Sequence, residues 1–158
     1  MITAIPHAIP FTIGDCLFDS ISFALSVDDV HISASELREY VARKAIAPAC
    51  SDARAFWARM QRDGDEETQH HFRFASDDLD TLYNNMLDSD LYWGDDFALQ
   101  RLSDRFSCRI LVLQKKRRTS VSVTNPTHPK SATTLLLLLL HNSHYEPLEL
   151  CDSFVQHI

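Results

Sequence analysis

Six consecutive leucines at positions 135–140 constrain this chain more than any other feature. The run is far below the roughly 20 apolar residues needed to cross a bilayer. It is short, unbroken and bounded by polar segments, which reads as a strand buried on both faces inside a sheet. Such a strand, placed at 134–140, needs partners, and the sequence offers them at 109–114, 119–124 and 145–150. Between the first two lies the basic cluster Lys115, Lys116, Arg117 and Arg118, which reads as the tip of a hairpin.

Everything ahead of these strands is patterned for helices. Residues 1–13 carry two prolines and read as an extended arm, ended by the turn signal Gly14-Asp15. Leu17, Phe18, Ile21, Phe23, Ala24 and Leu25 then describe a helix apolar over most of its surface. Ser33 with Glu36 forms a capping box for a helix running to about Ala47, ahead of Pro48. Ser51 and Asp52 cap a further helix through Met60, and the polar stretch 63–71 reads as a loop. Ser76, Asp77 and Asp78 cap a helix carrying Leu79, Leu82, Tyr83, Met86 and Leu87. Gly94, Asp95 and Asp96 lead another with Phe97, Leu99, Leu102 and Phe106. Helices first and strands last predict an α+β domain with an antiparallel or mixed sheet packed by helices. A length of 158 residues fits one such domain, spanning 1–158.

Charge and cysteine usage narrow the function. A formal net charge of −7 disfavours nucleic acid as a partner, because phosphate binding needs a basic surface. Cys16, Cys50, Cys108 and Cys151 form no Cys-x-x-Cys pair, so zinc spacing is absent and no metal is expected. Neighbours His70 and His71 point apart and do not make a metal site. The first eleven residues lack the charged and apolar regions of a secretory signal, so reduced thiols in a cytoplasmic compartment are expected.

Cys16 has two readings. It is either a buried structural thiol or, at the start of a helix, a nucleophile whose thiolate is favoured by the helix dipole. Glycine at position 14 permits the tight backbone that would aim loop amides at an oxyanion. His144 follows the leucine strand where the chain reaches the surface, a position suited to a catalytic base and equally to an ordinary turn histidine. An early cysteine with a distant histidine is a thiol-protease arrangement.

The local strings carry more. Gly14-Asp-Cys-Leu-Phe-Asp-Ser-Ile21 resembles the nucleophile block of the OTU (ovarian-tumour) cysteine proteases, usually Asp-Gly-Asn-Cys-Leu-Phe-Arg-Ala. His144-Tyr-Glu-Pro-Leu148 resembles that family's His-Tyr block. Trp93-Gly-Asp-Asp-Phe-Ala-Leu-Gln-Arg-Leu102, followed by Cys108-Arg-Ile-Leu-Val-Leu113, resembles its middle block. Together the blocks run in the family's order across residues 14–148.

The resemblance implies an OTU-like, papain-type cysteine protease fold with a small central, mostly antiparallel sheet between helices. It implies a deubiquitinase that hydrolyses the bond after the C-terminal glycine of ubiquitin, with no cofactor. The expected partners are ubiquitin, polyubiquitin chains and ubiquitinated proteins, met by a monomer. Cys16 is then the nucleophile and His144 the base, with Glu146 or Asn142 orienting the imidazole and His141 a competing base. The backbone of Ile13, Gly14 and Asp15 forms the oxyanion hole, and Trp93 and Tyr145 flank the substrate channel or simply pack in the core. Asp77, Asp78, Asp95 and Asp96 either meet arginines of the ubiquitin tail or cap helices. Cys50, Cys108 and Cys151 are bystanders. Ile13 and Asp15 depart from the family's Asp and Asn, and Asp15 places a like charge near the thiol unless it points away. A catalytically weak ubiquitin-binding module, or a protease for a ubiquitin-like modifier or polyprotein, remains open. So compact a domain suits a viral protein or a bacterial effector.

Overall fold

The computed structural model describes residues 4–6, 14–115, 118–128, 133–140 and 144–150. Helices α1 (Cys16–Val27), α2 (Ala34–Ala45), α3 (Ser51–Asp63), α4 (Glu66–His71), α5 (Leu79–Leu87) and α6 (Asp96–Phe106) come in succession. Strands β2 (Cys108–Lys115), β3 (Thr119–Thr124), β4 (Thr133–Leu140) and β5 (His144–Leu150) follow, and a short β1 (Ala4–Pro6) precedes everything. The sheet order is β1-β5-β4-β2-β3. β4 pairs in parallel with β2 and antiparallel with β5, while β1–β5 and β2–β3 are antiparallel. The sheet is therefore small, mixed and mostly antiparallel, as expected.

The leucine run occupies the middle of the sheet, with a strand on either side. Leu135 and Leu137 are buried and sit beside Ile110 and Val112 of β2 in register. The side chains of Leu136, Leu138 and Leu140 lie outside the described residues, so burial of the second face is described only through β2, where Leu111 and Leu113 are half-buried. Lys115 stands opposite Thr119, so β2 and β3 pair antiparallel on either side of the basic cluster, whose Lys116 and Arg117 lie outside the described residues.

The buried side of the sheet meets α1 and α6. Leu17, Phe18, Ile21 and Leu25 join Leu99, Leu102, Ile110, Val112, Leu135 and Leu137 in one core. Burying each large aliphatic or aromatic side chain there contributes roughly 1.5–3 kcal/mol. An aromatic chain of Trp57, Phe74 and Tyr92, with centroids 5.3 and 4.7 Å apart, extends that core beneath α3. These contacts hold α1 against β4 and β5, which positions the site.

Three expectations need correction. Residues 63–71 are not all loop, because 66–71 form α4. Its stability comes from its ends: Asp65 accepts a 2.7 Å bond from the Thr68 amide, and Glu66 and Glu67 occupy the first turn. With no buried residue it leaves no apolar period to read. The extended arm contributes a strand, since residues 4–6 pair with 148–150 through backbone bonds that composition does not encode. Finally, Ser51 is the first residue of α3 rather than its cap, because the 3-10 turn Pro48–Cys50 leads directly into the helix.

Candidate active site

Gly14 takes the chain into α1 at φ +88°, a conformation that side chains with a Cβ rarely adopt. A Cβ there would stand 1.8 Å from the backbone oxygen of Ser89 and 2.8 Å from Cδ1 of Trp93. α1 then begins at Cys16, which is 4% exposed. Its Sγ accepts a hydrogen bond from the Tyr145 amide at 3.5 Å, across 129 positions of sequence. Ser20, one turn further along α1, donates from its hydroxyl to the Tyr145 carbonyl at 3.1 Å. The first turns of α1 thus grip β5 at one residue, through both its N–H and its carbonyl. His144 is the adjacent residue, so the thiol and the imidazole lie at the same end of β5. Side chains two apart on a strand share a face, and Glu146 Oε1 meets His144 Nε2 at 3.1 Å.

The thiol sits in a divided electrostatic environment. Burial raises the Cys16 pKa, and the Asp19 carboxylate raises it further. The amides of Tyr145, Leu17 and Cys16 itself oppose this by stabilising the thiolate. Asp15, the like charge feared from sequence, is turned away: its Oδ1 is 2.6 Å from Nη2 of Arg38. Asp19 takes over the unfavourable role. Its own carboxyl is pushed above its ordinary range by burial and by Asp15. Removing that charge favours the thiolate. Asp19→Asn is therefore expected to move the midpoint of the pH curve for Cys16 alkylation by iodoacetamide downward by about 0.5 unit. The rate at pH 7 should rise about two- to fivefold. Peptide-resolved mass spectrometry would follow Cys16 itself, and an unchanged or raised midpoint would refute the assignment.

The remaining predicted residues divide. Trp93 is 40% exposed and lies against Gly14, beside a cleft of about 170 Å³ that His70, His71 and Arg73 also line. Tyr145 is half-buried and packs on the core, and burial and nearby acids push its phenol up to about 12. Asp78 caps α5 and Asp95 caps α6 through the Thr81 and Ala98 amides, while Asp77 and Asp96 are exposed. Asp95 also accepts from the hydroxyl of buried Tyr92 at 2.7 Å. Cys50 and Cys108 are buried free thiols. Ile13, Asn142, His141 and Cys151 lie outside the described residues. Gly94, at φ +92°, lets Leu17 pack directly on its backbone: a Cβ would stand 2.4 Å from Leu17 Cδ2.

Sequence reading missed Ser20, Asp19 and Arg38. Ser20 gives no local signal, since its partner is 125 positions away. Asp19 stands where the family pattern has arginine, which was the available clue. Arg38 falls on the buried stripe of α2 with Val41, Ala42 and Ala45, and a charge at core spacing marks a paired, buried ion.

Comparisons with known proteins bear on the family and the fold. A sequence pattern described as "OTU-like cysteine protease" matches residues 12–145. No curated protein sequence matches the chain. Among solved structures, an OTU deubiquitinase from Wolbachia pipientis wMel bound to ubiquitin is similar at TM-score 0.67 and 18% identity, covering 92% of this chain and 95% of that one. The viral OTU domain protease from Dera Ghazi Khan virus gives TM-score 0.59 and 20% identity, covering 96% and 82%. The Hazara virus OTU bound to ubiquitin gives TM-score 0.55 and 16% identity, with the same coverage of 96% and 82%. At these identities the structures speak for the fold, and the pattern across residues 12–145 speaks for descent: the chain belongs to the OTU-like cysteine proteases.

Proposed function

We propose that this protein is a deubiquitinase that cleaves after the C-terminal glycine of ubiquitin, with Cys16 as nucleophile and His144 as base. The observation that carries the reading is the 3.5 Å bond from the Tyr145 amide to the Cys16 sulfur, which brings the thiol to the residue next to His144. Burial holds the thiol up in pKa, so attack requires a base to take its proton. Glu146 engages Nε2 of His144, which leaves the proton transfer to Nδ1. The carboxylate orients the ring and offsets the charge it gains. Asn142, the competing orienter, lies outside the described residues.

In the first half-reaction the Sγ–C bond forms and the C–N bond to the substrate amine breaks. The thiol proton passes through His144 to the departing amine. Water then attacks the thioester, gives a proton to His144, and releases the ubiquitin carboxylate and the thiol. Backbone N–H groups of residues 13–15 and of Cys16 are assigned to the oxyanion. Trp93, exposed and packed on Gly14, is assigned to the wall of the substrate channel, with Tyr145 opposite. The chemistry needs a reduced thiol, so a reducing compartment such as the cytosol is its place.

Ubiquitin as substrate draws support from the ubiquitin complexes of the Wolbachia and Hazara virus proteins. A panel of fluorogenic ubiquitin, fluorogenic ubiquitin-like modifiers and all diubiquitin linkages tests it. Ubiquitin is expected to be turned over at least about tenfold faster, by kcat/KM, than any other modifier, a gap of about 1.4 kcal/mol in transition-state binding. Preference for another modifier would reassign the substrate. Binding of ubiquitin without turnover would replace the enzyme by a binding module.

A further inference from the structure

Arg38 is 4% exposed, and its guanidinium is spent on the loop that leads to the thiol. Nε and Nη2 donate to Asp15 Oδ1 at 3.0 and 2.6 Å, and Nη2 also donates to the Gly14 carbonyl at 2.8 Å. Nη1 donates to the carbonyls of Met86 and Tyr92 at 3.0 and 2.5 Å. Its Cζ lies over the Phe18 ring, 4.6 Å from the centroid. Each of its three nitrogens is therefore committed, and the group joins α2, the end of α5, the segment before Trp93 and the nucleophile loop.

One of these bonds bears on chemistry. In a trans peptide the carbonyl oxygen and the following N–H point in opposite directions. The Gly14 carbonyl is held toward Arg38, so the Asp15 N–H is turned away from it. That amide donates no hydrogen bond among the described residues. Gly14 at the start of this peptide has no Cβ, so its own side chain does not restrict the peptide's orientation. Asp15, ion-paired to the same guanidinium, fixes its other end.

We propose that Arg38 is the positioning residue that sets the oxyanion-binding amide of Asp15, by clamping the Gly14 carbonyl and the Asp15 carboxylate together. This rests on the reading of Cys16 as the nucleophile. The role requires a planar fork with several donors, which lysine cannot reproduce although it keeps the charge. Loss of the clamp keeps the Cys16 nucleophile and removes the orientation of a donor needed as the oxyanion forms.

The test compares wild type with Arg38→Lys, using hydrolysis of a fluorogenic ubiquitin substrate and alkylation of Cys16 by iodoacetamide. Alkylation needs the thiolate and no oxyanion hole. The expected result is a fall in kcat of about 30- to 300-fold, on the scale of losing one oxyanion donor. KM and the alkylation rate should stay within about threefold. The double variant Asp15→Asn, Arg38→Met removes both charges of the ion pair at once and serves if the lysine variant loses its fold. It is expected to show the same split. A folded variant that keeps kcat within threefold of wild type, or whose kcat falls only in step with alkylation, overturns the proposal. Cys16→Ala in the same assay separates the two claims. If turnover survives it, or if wild type shows none, the nucleophile reading fails and the role of Arg38 fails with it. If turnover depends on Cys16 and ignores Arg38, the clamp alone is wrong.

Discussion

Cys16→Ala is expected to abolish labelling by a ubiquitin C-terminal electrophile and to lower kcat by about 10⁵-fold or more, because no other group supplies the nucleophile. His144→Ala should cost about 10³- to 10⁵-fold, since a buried thiol with a raised pKa loses the base that deprotonates it. The double variant should be scarcely worse than Cys16→Ala alone, because groups that act in one proton transfer do not contribute additively. Glu146→Gln keeps the 3.1 Å contact sterically and removes its charge, so a smaller loss of about 10- to 100-fold is expected. Steady-state kinetics with fluorogenic ubiquitin would establish the order. A His144→Ala variant within tenfold of wild type would shift the base to another residue, with His141 the first to examine. Near-native melting of Cys16→Ala and His144→Ala would assign the losses to chemistry.

Gly14→Ala is expected to damage both stability and turnover. The added Cβ would stand 1.8 Å from the Ser89 backbone oxygen and 2.8 Å from its carbonyl carbon, at φ +88°. Backbone atoms cannot swing aside as a side-chain end can, so the loop or the segment 88–93 must move. Left-handed strain together with this overlap should cost about 2–4 kcal/mol. For a chain of this length that is a fall of roughly 5–15 °C in Tm. The Gly14 carbonyl is also the group that Arg38 holds, so displacement disturbs the Asp15 amide and should reduce kcat by a further 10²-fold or more. Gly94→Ala is the informative contrast. Its positive φ is similar, but its nearest obstacle is Cδ2 of Leu17, the end of a flexible side chain. Its melting temperature should fall less than that of Gly14→Ala. Equal losses in the two variants would mean that φ alone, and not the Ser89 overlap, sets the cost.

Much of this architecture was legible because each signal is local. The turn at Gly14-Asp15 and the apolar positions after it announce α1, and the helix does begin at Cys16. Caps at Ser33, Asp78 and Asp95 bond their own third residue onward, so the sequence contains both partners. The hairpin between β2 and β3 falls where the basic cluster interrupts two β-patterned runs. By contrast α4 is held by its ends and buries nothing, and β1 is held by backbone bonds to residues 148–150. Neither mechanism writes a periodic pattern.

The sequence by itself determined the family, the helices-then-strands order and the central place of residues 135–140, because motif spacing and apolar periodicity are properties of neighbouring residues. Only the tertiary structure decided what surrounds the Cys16 sulfur. The amide that approaches it belongs to Tyr145, the buried cation that draws Asp15 away is Arg38, and the charge left beside it is Asp19. Electrostatic effects depend on distance and desolvation in space, and two of these partners reach the loop from 23 and 129 positions away in the chain.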